Sequence, residues 1–92
     1  MPSNTQAFED SLLAEQYAGA VLIERPAGYA LGDHDHPFDA KALITRGEIT
    51  IAVGDVERCY QVGDVFELLR GTQHTERVGE TGVAYLVGRR SS

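Results

Sequence analysis

The chain has no tryptophan, one cysteine, three prolines, no long apolar run and few basic residues. Each shortage excludes something. Cys59 alone cannot close an internal disulfide, and the amino terminus lacks a charged segment followed by a long apolar stretch, so a cytoplasmic protein is expected. Apolar stretches this short cannot span a bilayer as helices, which argues against a membrane partner. Eight Lys and Arg stand against fourteen Asp and Glu, a formal net charge of -6. No basic stripe runs through the chain, so nucleic acid is excluded as a partner. Arg89 and Arg90 read as a solvated cationic tip. The net charge also disfavours strongly anionic substrates through long-range repulsion.

What is present points to many short strands. Ten glycines among 92 residues separate brief apolar runs, the pattern of strands and tight turns. A chain of this length builds one core, so residues 1–92 are expected to form a single domain. The one helical pattern runs over about residues 5–16, capped by Ser3 or Asn4, with Phe8, Leu12 and Leu13 on one side. A helix this short is marginal alone and fits an arm over residues 1–19 that lies against the rest. Strand-like runs follow at residues 21–24, 41–45, 48–53, 56–60, 65–69, 74–78 and 83–87. Arg46-Gly47, Gly54-Asp55, Gly63-Asp64, Gly71 and residues 79–82 read as the turns between them. That spacing predicts an all-β sandwich or barrel. Cys59 is expected to be a buried, inert thiol, Phe66 core, Glu67 surface, and Pro37-Phe38 the packing of a loop.

The candidate chemistry lies in the histidines. His34 and His36 are two residues apart, and in extended backbone that spacing puts both rings on one face. Imidazole suits Zn, Ni, Cu and Fe at neutral pH. The competing reading is a solvated polar loop, given Asp33 and Asp35 beside the pair. A third histidine, His74, is needed to build a site.

Gly28, His34, His36 and Gly47 resemble the first signature motif of the cupin superfamily, and Gly63, Gly71 and His74 resemble the second. The resemblance covers about residues 20–88, nearly the whole chain. It implies a cupin-like double-stranded β-helix, a jelly-roll barrel of about eight to ten short strands with a short amino-terminal helix. It also implies a divalent metal ion (Fe, Ni, Mn or Zn) on His34, His36 and His74, a small-molecule ligand or substrate, and a homodimer paired through strand edges.

The glutamate ligand of the first motif falls at Ala40, and the proline and asparagine of the second fall at Leu69 and Val78. Three readings of Ala40 stand open. In one, three histidines leave positions free for water or substrate, as catalytic metals require. In another, Glu76 replaces the carboxylate, since it shares a strand face with His74, whereas the adjacent Asp39 has the wrong parity. In the third, the metal is lost and the histidines are polar lining. Metal is favoured because converging imidazoles would otherwise leave ring nitrogens without partners. Asp33 and Asp35 read as solvated turn residues, the alternative being that one holds an outer nitrogen of the first pair. Ala40 and Tyr85 are candidate pocket lining. The function implied is a small metalloenzyme of dioxygenase type acting on a small organic molecule. The alternatives are a non-catalytic binding or sensory module and a zinc-dependent isomerase or cyclase.

Overall fold

Two long strands carry most of the architecture. In the computed structural model, which describes residues 4–91, the order is α1 (Asn4–Ala14), β1 (Val21–Arg25), β2 (Ala30–His34), β3 (Asp39–Val53), β4 (Val56–Gln61), β5 (Val65–Leu68) and β6 (His74–Arg90). β3 and β6 pair antiparallel from Asp39–Arg90 to Ala52–Thr75, and every other strand lies on one half of that pair. The first half runs β1, β6, β3, β5. The second runs β2, β6, β3, β4. Two half-sheets thus share two bent strands, which is a double-stranded β-helix. Counted in both halves, the six strands offer the eight segments of a barrel of short strands.

The expected turns at Arg46-Gly47 and residues 79–82 are bends within single strands, β3 and β6. Gly47 (φ 71°) and Gly82 (φ 77°) meet at the bend, where a Cβ on Gly47 would strike the Gly82 carbonyl oxygen. Only glycine provides both the left-handed backbone and the missing side chain. Register shifts at Ile44/Arg46 and Gly47/Ile49 move the inward face of β3 from Ala42 and Ile44 to Ile49 and Ile51, all buried. Such a bulge is how a strand that changes direction keeps its apolar residues inside. The inward set of β6 switches likewise, from Val78 to Val83 and Val87, and Phe66 and Leu68 of β5 complete the interior.

In the first half of β3 the outward positions are Asp39, Lys41, Leu43 and Thr45, of which Leu43 alone is apolar. Leu43 points outward, and Phe8 and Leu12 of α1 bury it together with Tyr17. The amino-terminal segment is therefore a cover for that half-sheet, pinned at its rim by Lys41 and Glu15 at 2.7 Å. Gln16, in left-handed backbone (φ 67°), follows the helix. Leu13 faces solvent at 70% exposure, away from the side shared by Phe8 and Leu12. A cap at Ser3 lies outside the described residues.

Two other expectations are corrected. Cys59 is exposed because β4 is an edge strand whose outer face nothing covers. Its Sγ donates to Glu48 Oε2 at 3.3 Å, and desolvation followed by that carboxylate raises the thiol above its ordinary pKa. Arg90 is not a solvated tip. Its Nη2 lies 2.9 Å from Oδ2 of the buried Asp39, whose Oδ1 accepts the Arg70 backbone N–H at 2.8 Å. The Arg70 N–H first, then the Arg90 side chain, hold the Asp39 carboxyl down at about 2. Among the described residues, no helix is long and apolar enough to cross a membrane.

Candidate metal centre

The pairing of β2 with β6 sets His34 directly opposite His74. His36 follows in the next loop, where its carbonyl accepts the Gly71 N–H at 3.0 Å and ties that loop to the turn before β6. Ring centroids lie 5.0 Å apart for His34 and His36, 4.3 Å for His34 and His74, and 5.3 Å for His36 and His74. Glu76 joins them from β6, and one donor atom from each of the four residues lies within 4.8 Å of the others. The structure therefore brings a carboxylate to the histidines from the strand of His74. Asp39 is engaged with Arg70 and Arg90 instead. Ala40 is buried on the inner wall of β3, where its small side chain leaves a cavity open.

The outer ring nitrogens decide the tautomers. His34 Nδ1 lies 2.7 Å from the Gly32 carbonyl oxygen, and His74 Nδ1 lies 2.9 Å from that of Thr72. A carbonyl can only accept, so each Nδ1 carries the hydrogen and donates it. In the neutral rings both Nε2 atoms then present lone pairs, and they face one oxygen, Glu76 Oε2, at 3.1 and 3.2 Å. Three electron-pair donors converging on one point need a cation, or a proton, among them. Asp33 and Asp35 are exposed, in keeping with solvated turn residues and not with partners of the outer nitrogens. Backbone carbonyls take that role, a type of partner that residue identity does not reveal.

The ring nitrogens are not orphaned: among the described residues every buried side-chain nitrogen and oxygen has a partner. The case for a metal rests on what kind of partners these are. Imidazole nitrogens with one carboxylate are the donor set of zinc, iron, nickel and manganese sites, and His74 is 1% exposed. His36 completes the set. Burial, then the fields of His34 and His74, lower its pKa, which keeps the ring neutral and available as a ligand near neutrality.

A cavity of about 60 Å³ opens beside these donors, with His36 and Glu76 in its wall. Ala40, Phe66, Tyr85 and Val87 line it, as do Phe38 and Arg89. Phe38 does more than pack a loop: its ring stacks on His36 at 4.9 Å. Phe66 is both core and cavity wall. Burial, then the Glu76 carboxylate, raise the pKa of Tyr85, so its hydroxyl stays protonated and can donate to a ligand oxygen.

No protein-family model and no curated protein match the sequence. Solved structures do. KdgF from Halomonas sp. superposes with a TM-score of 0.70 at 19% identity, over 80% of this chain and 68% of that one. A cupin superfamily protein from Desulfitobacterium hafniense gives 0.71 at 18% identity, over 83% and 69%. The DMSP lyase DddQ from Ruegeria pomeroyi gives 0.69 at 27% identity, over 78% of this chain but only 37% of its own length. With two half-sheets on shared bent strands and these likenesses, the chain is by fold a small cupin domain.

Proposed function

We propose that this chain is a small metalloenzyme that holds one divalent ion on His34, His36, His74 and Glu76 and acts on a compact organic molecule. One observation carries the reading: the Nδ1–H groups of His34 and His74 are committed to backbone carbonyls, so both Nε2 lone pairs face the Glu76 carboxylate. When bound, the ion would supply Lewis acidity toward a substrate oxygen and, if it is iron, oxygen chemistry of the dioxygenase type. The protein's own part is to orient. The carbonyls of Gly32 and Thr72 fix two rings, Phe38 braces the third, and Tyr85 offers a hydroxyl hydrogen across the cavity. An apolar wall of Phe66, Leu68 and Val87 limits water beside the donors. A cavity of about 60 Å³ is far below the ~300 Å³ and above of drug-sized sites, which selects a molecule of a few heavy atoms.

A second reading, metal-assisted elimination, is supported by the 27% identity to a lyase. The metal itself separates the two. Elemental analysis of tag-free protein should find close to one equivalent of a transition metal in the wild type and none in the His34→Ala, His74→Ala double variant. Iron favours oxidation, and zinc favours Lewis-acid chemistry. Equal metal in both proteins, or none in the wild type after reconstitution with each candidate ion, would overturn the proposal.

A further inference from the structure

The cationic side chains fall into two groups. Lys41, Arg46, Arg70, Arg77 and Arg90 each lie within 4.0 Å of a carboxylate. That is expected where fourteen acidic residues outnumber eight basic ones. Arg25, Arg58 and Arg89 have no ion pair with a carboxylate among the described residues. Arg58 stands on the exposed edge strand β4. Arg25 and Arg89 both line the cavity beside the metal centre.

Their placement is built, not incidental. The Arg25 guanidinium sits over the Tyr29 ring at 5.2 Å and donates to the Glu24 carbonyl at 3.1 Å. That of Arg89 sits over Phe38 at 4.7 Å, the same ring that stacks on His36. Stacking on an aromatic face holds a guanidinium while leaving its N–H edge free, and that planar edge matches a carboxylate. Both cations also reach the far wall: their fields oppose, though they do not outweigh, the effects of burial and Glu76 on Tyr85. Arg25 and Arg89 outnumber Glu76 in the wall, so the local charge of the cavity is opposite in sign to the net charge of -6. A cationic cavity rimmed by apolar side chains concentrates anions whatever the rest of the surface carries.

We propose that the cavity binds a compact organic carboxylate, with Arg25 and Arg89 meeting the charged end and Ile23, Phe66 and Val87 the apolar end. That the bound acid is then a substrate rests on the metal reading above; that it binds does not. Tyr85 lies on the same wall and would donate to a ligand oxygen.

The test is a two-dimensional amide NMR titration of the zinc-loaded full chain with propionate and, separately, with its neutral isostere propionamide. Propionate should bind at least about tenfold more tightly, since a hydrogen bond to a charged group contributes more than one between neutral groups. Arg25→Gln and Arg89→Gln should each weaken propionate about tenfold, leave propionamide unchanged, and retain the wild-type zinc content. Equal binding of acid and amide by the wild type, or unaltered propionate affinity in the double arginine variant, would overturn the inference. If the wild type takes up no zinc, the metal reading fails. The same titration on metal-free protein then decides this inference alone: an arginine-dependent preference for propionate sustains it, and no preference overturns it.

Discussion

Glu76→Gln tests the part of the site least expected from the cupin pattern. The substitution keeps the shape of the side chain and removes its charge, 3.1 and 3.2 Å from the Nε2 atoms of His34 and His74. Two unit charges about 4 Å apart interact by about 1 kcal/mol in water and about 4 kcal/mol at the effective dielectric of a protein surface. For a divalent ion these figures double, to about 2 and about 8 kcal/mol. The Glu76 side chain is only 13% exposed, so the aqueous figure is a floor. That floor corresponds to about a 30-fold loss of affinity. Thermal unfolding reads it directly, because a ligand bound to the native state at about 100 times its Kd stabilises by about 2.7 kcal/mol. In a domain of this size that raises Tm by roughly 10–20 °C. At the same free metal concentration, a 30-fold weaker variant gains only about 0.9 kcal/mol, or roughly 3–7 °C. A chelator-buffered zinc titration gives the two Kd values independently. If they agree within about threefold, the carboxylate is not part of the metal centre, and three histidines with open positions become the correct description.

Two further outcomes test the fold. Gly47→Ala should lower the unfolding free energy read from a urea titration by well over the ~1–2 kcal/mol of a left-handed non-glycine residue, because its Cβ meets the Gly82 carbonyl. Gly54→Ala, also at positive φ but with nothing within 4 Å of the new Cβ, should show only that smaller effect; equal losses would mean that the bend tolerates a side chain. Asp39 supports the carboxyl-terminal end of the barrel, and its pH dependence has a fixed sign. Its folded pKa of about 2 lies below the ordinary 3.8, so its contribution is complete above about pH 4 and is lost as pH falls through 2. The stability gap between wild type and Asp39→Asn should therefore be constant from pH 5 to 7 and close steadily below pH 4. A gap that persists unchanged at pH 2 would refute the assignment.

Much of the candidate centre was legible because strand parity is a local property. Glu76 shares a face with His74 by spacing alone, whereas His36 stands in the loop after β2, tied to the turn before β6 by the Gly71 N–H, and the same-face expectation for the pair reaches the converging residues by a geometry the loop does not keep. The same rule, continued along β6, would have found Arg89: Tyr85, Val87 and Arg89 alternate along one face and all three line the cavity. Proximity to the carboxyl terminus made Arg89 and Arg90 look like solvated charge instead. The bends were misread for a different reason. Glycine marks a turn and a bulge alike, and only pairing partners distinguish them. Burial is expected of Cys59 because a free cysteine is among the most buried residue types, and nothing local shows that among the described residues β4 pairs on one side only.

The class of fold, the His34-x-His36 pair and the place of Glu76 on the face of His74 were readable from the chain, because alternation, turn residues and these short spacings are encoded within a few residues of one another. Tertiary structure decided the rest. That Glu76 faces His34 as well as His74, and that Arg25 and Arg89 share one cavity without a carboxylate partner, depends on residues tens of positions apart. Those are brought together by the register of β6 against β2, β1 and β3. Register is a property of paired strands, so no single strand's sequence contains it.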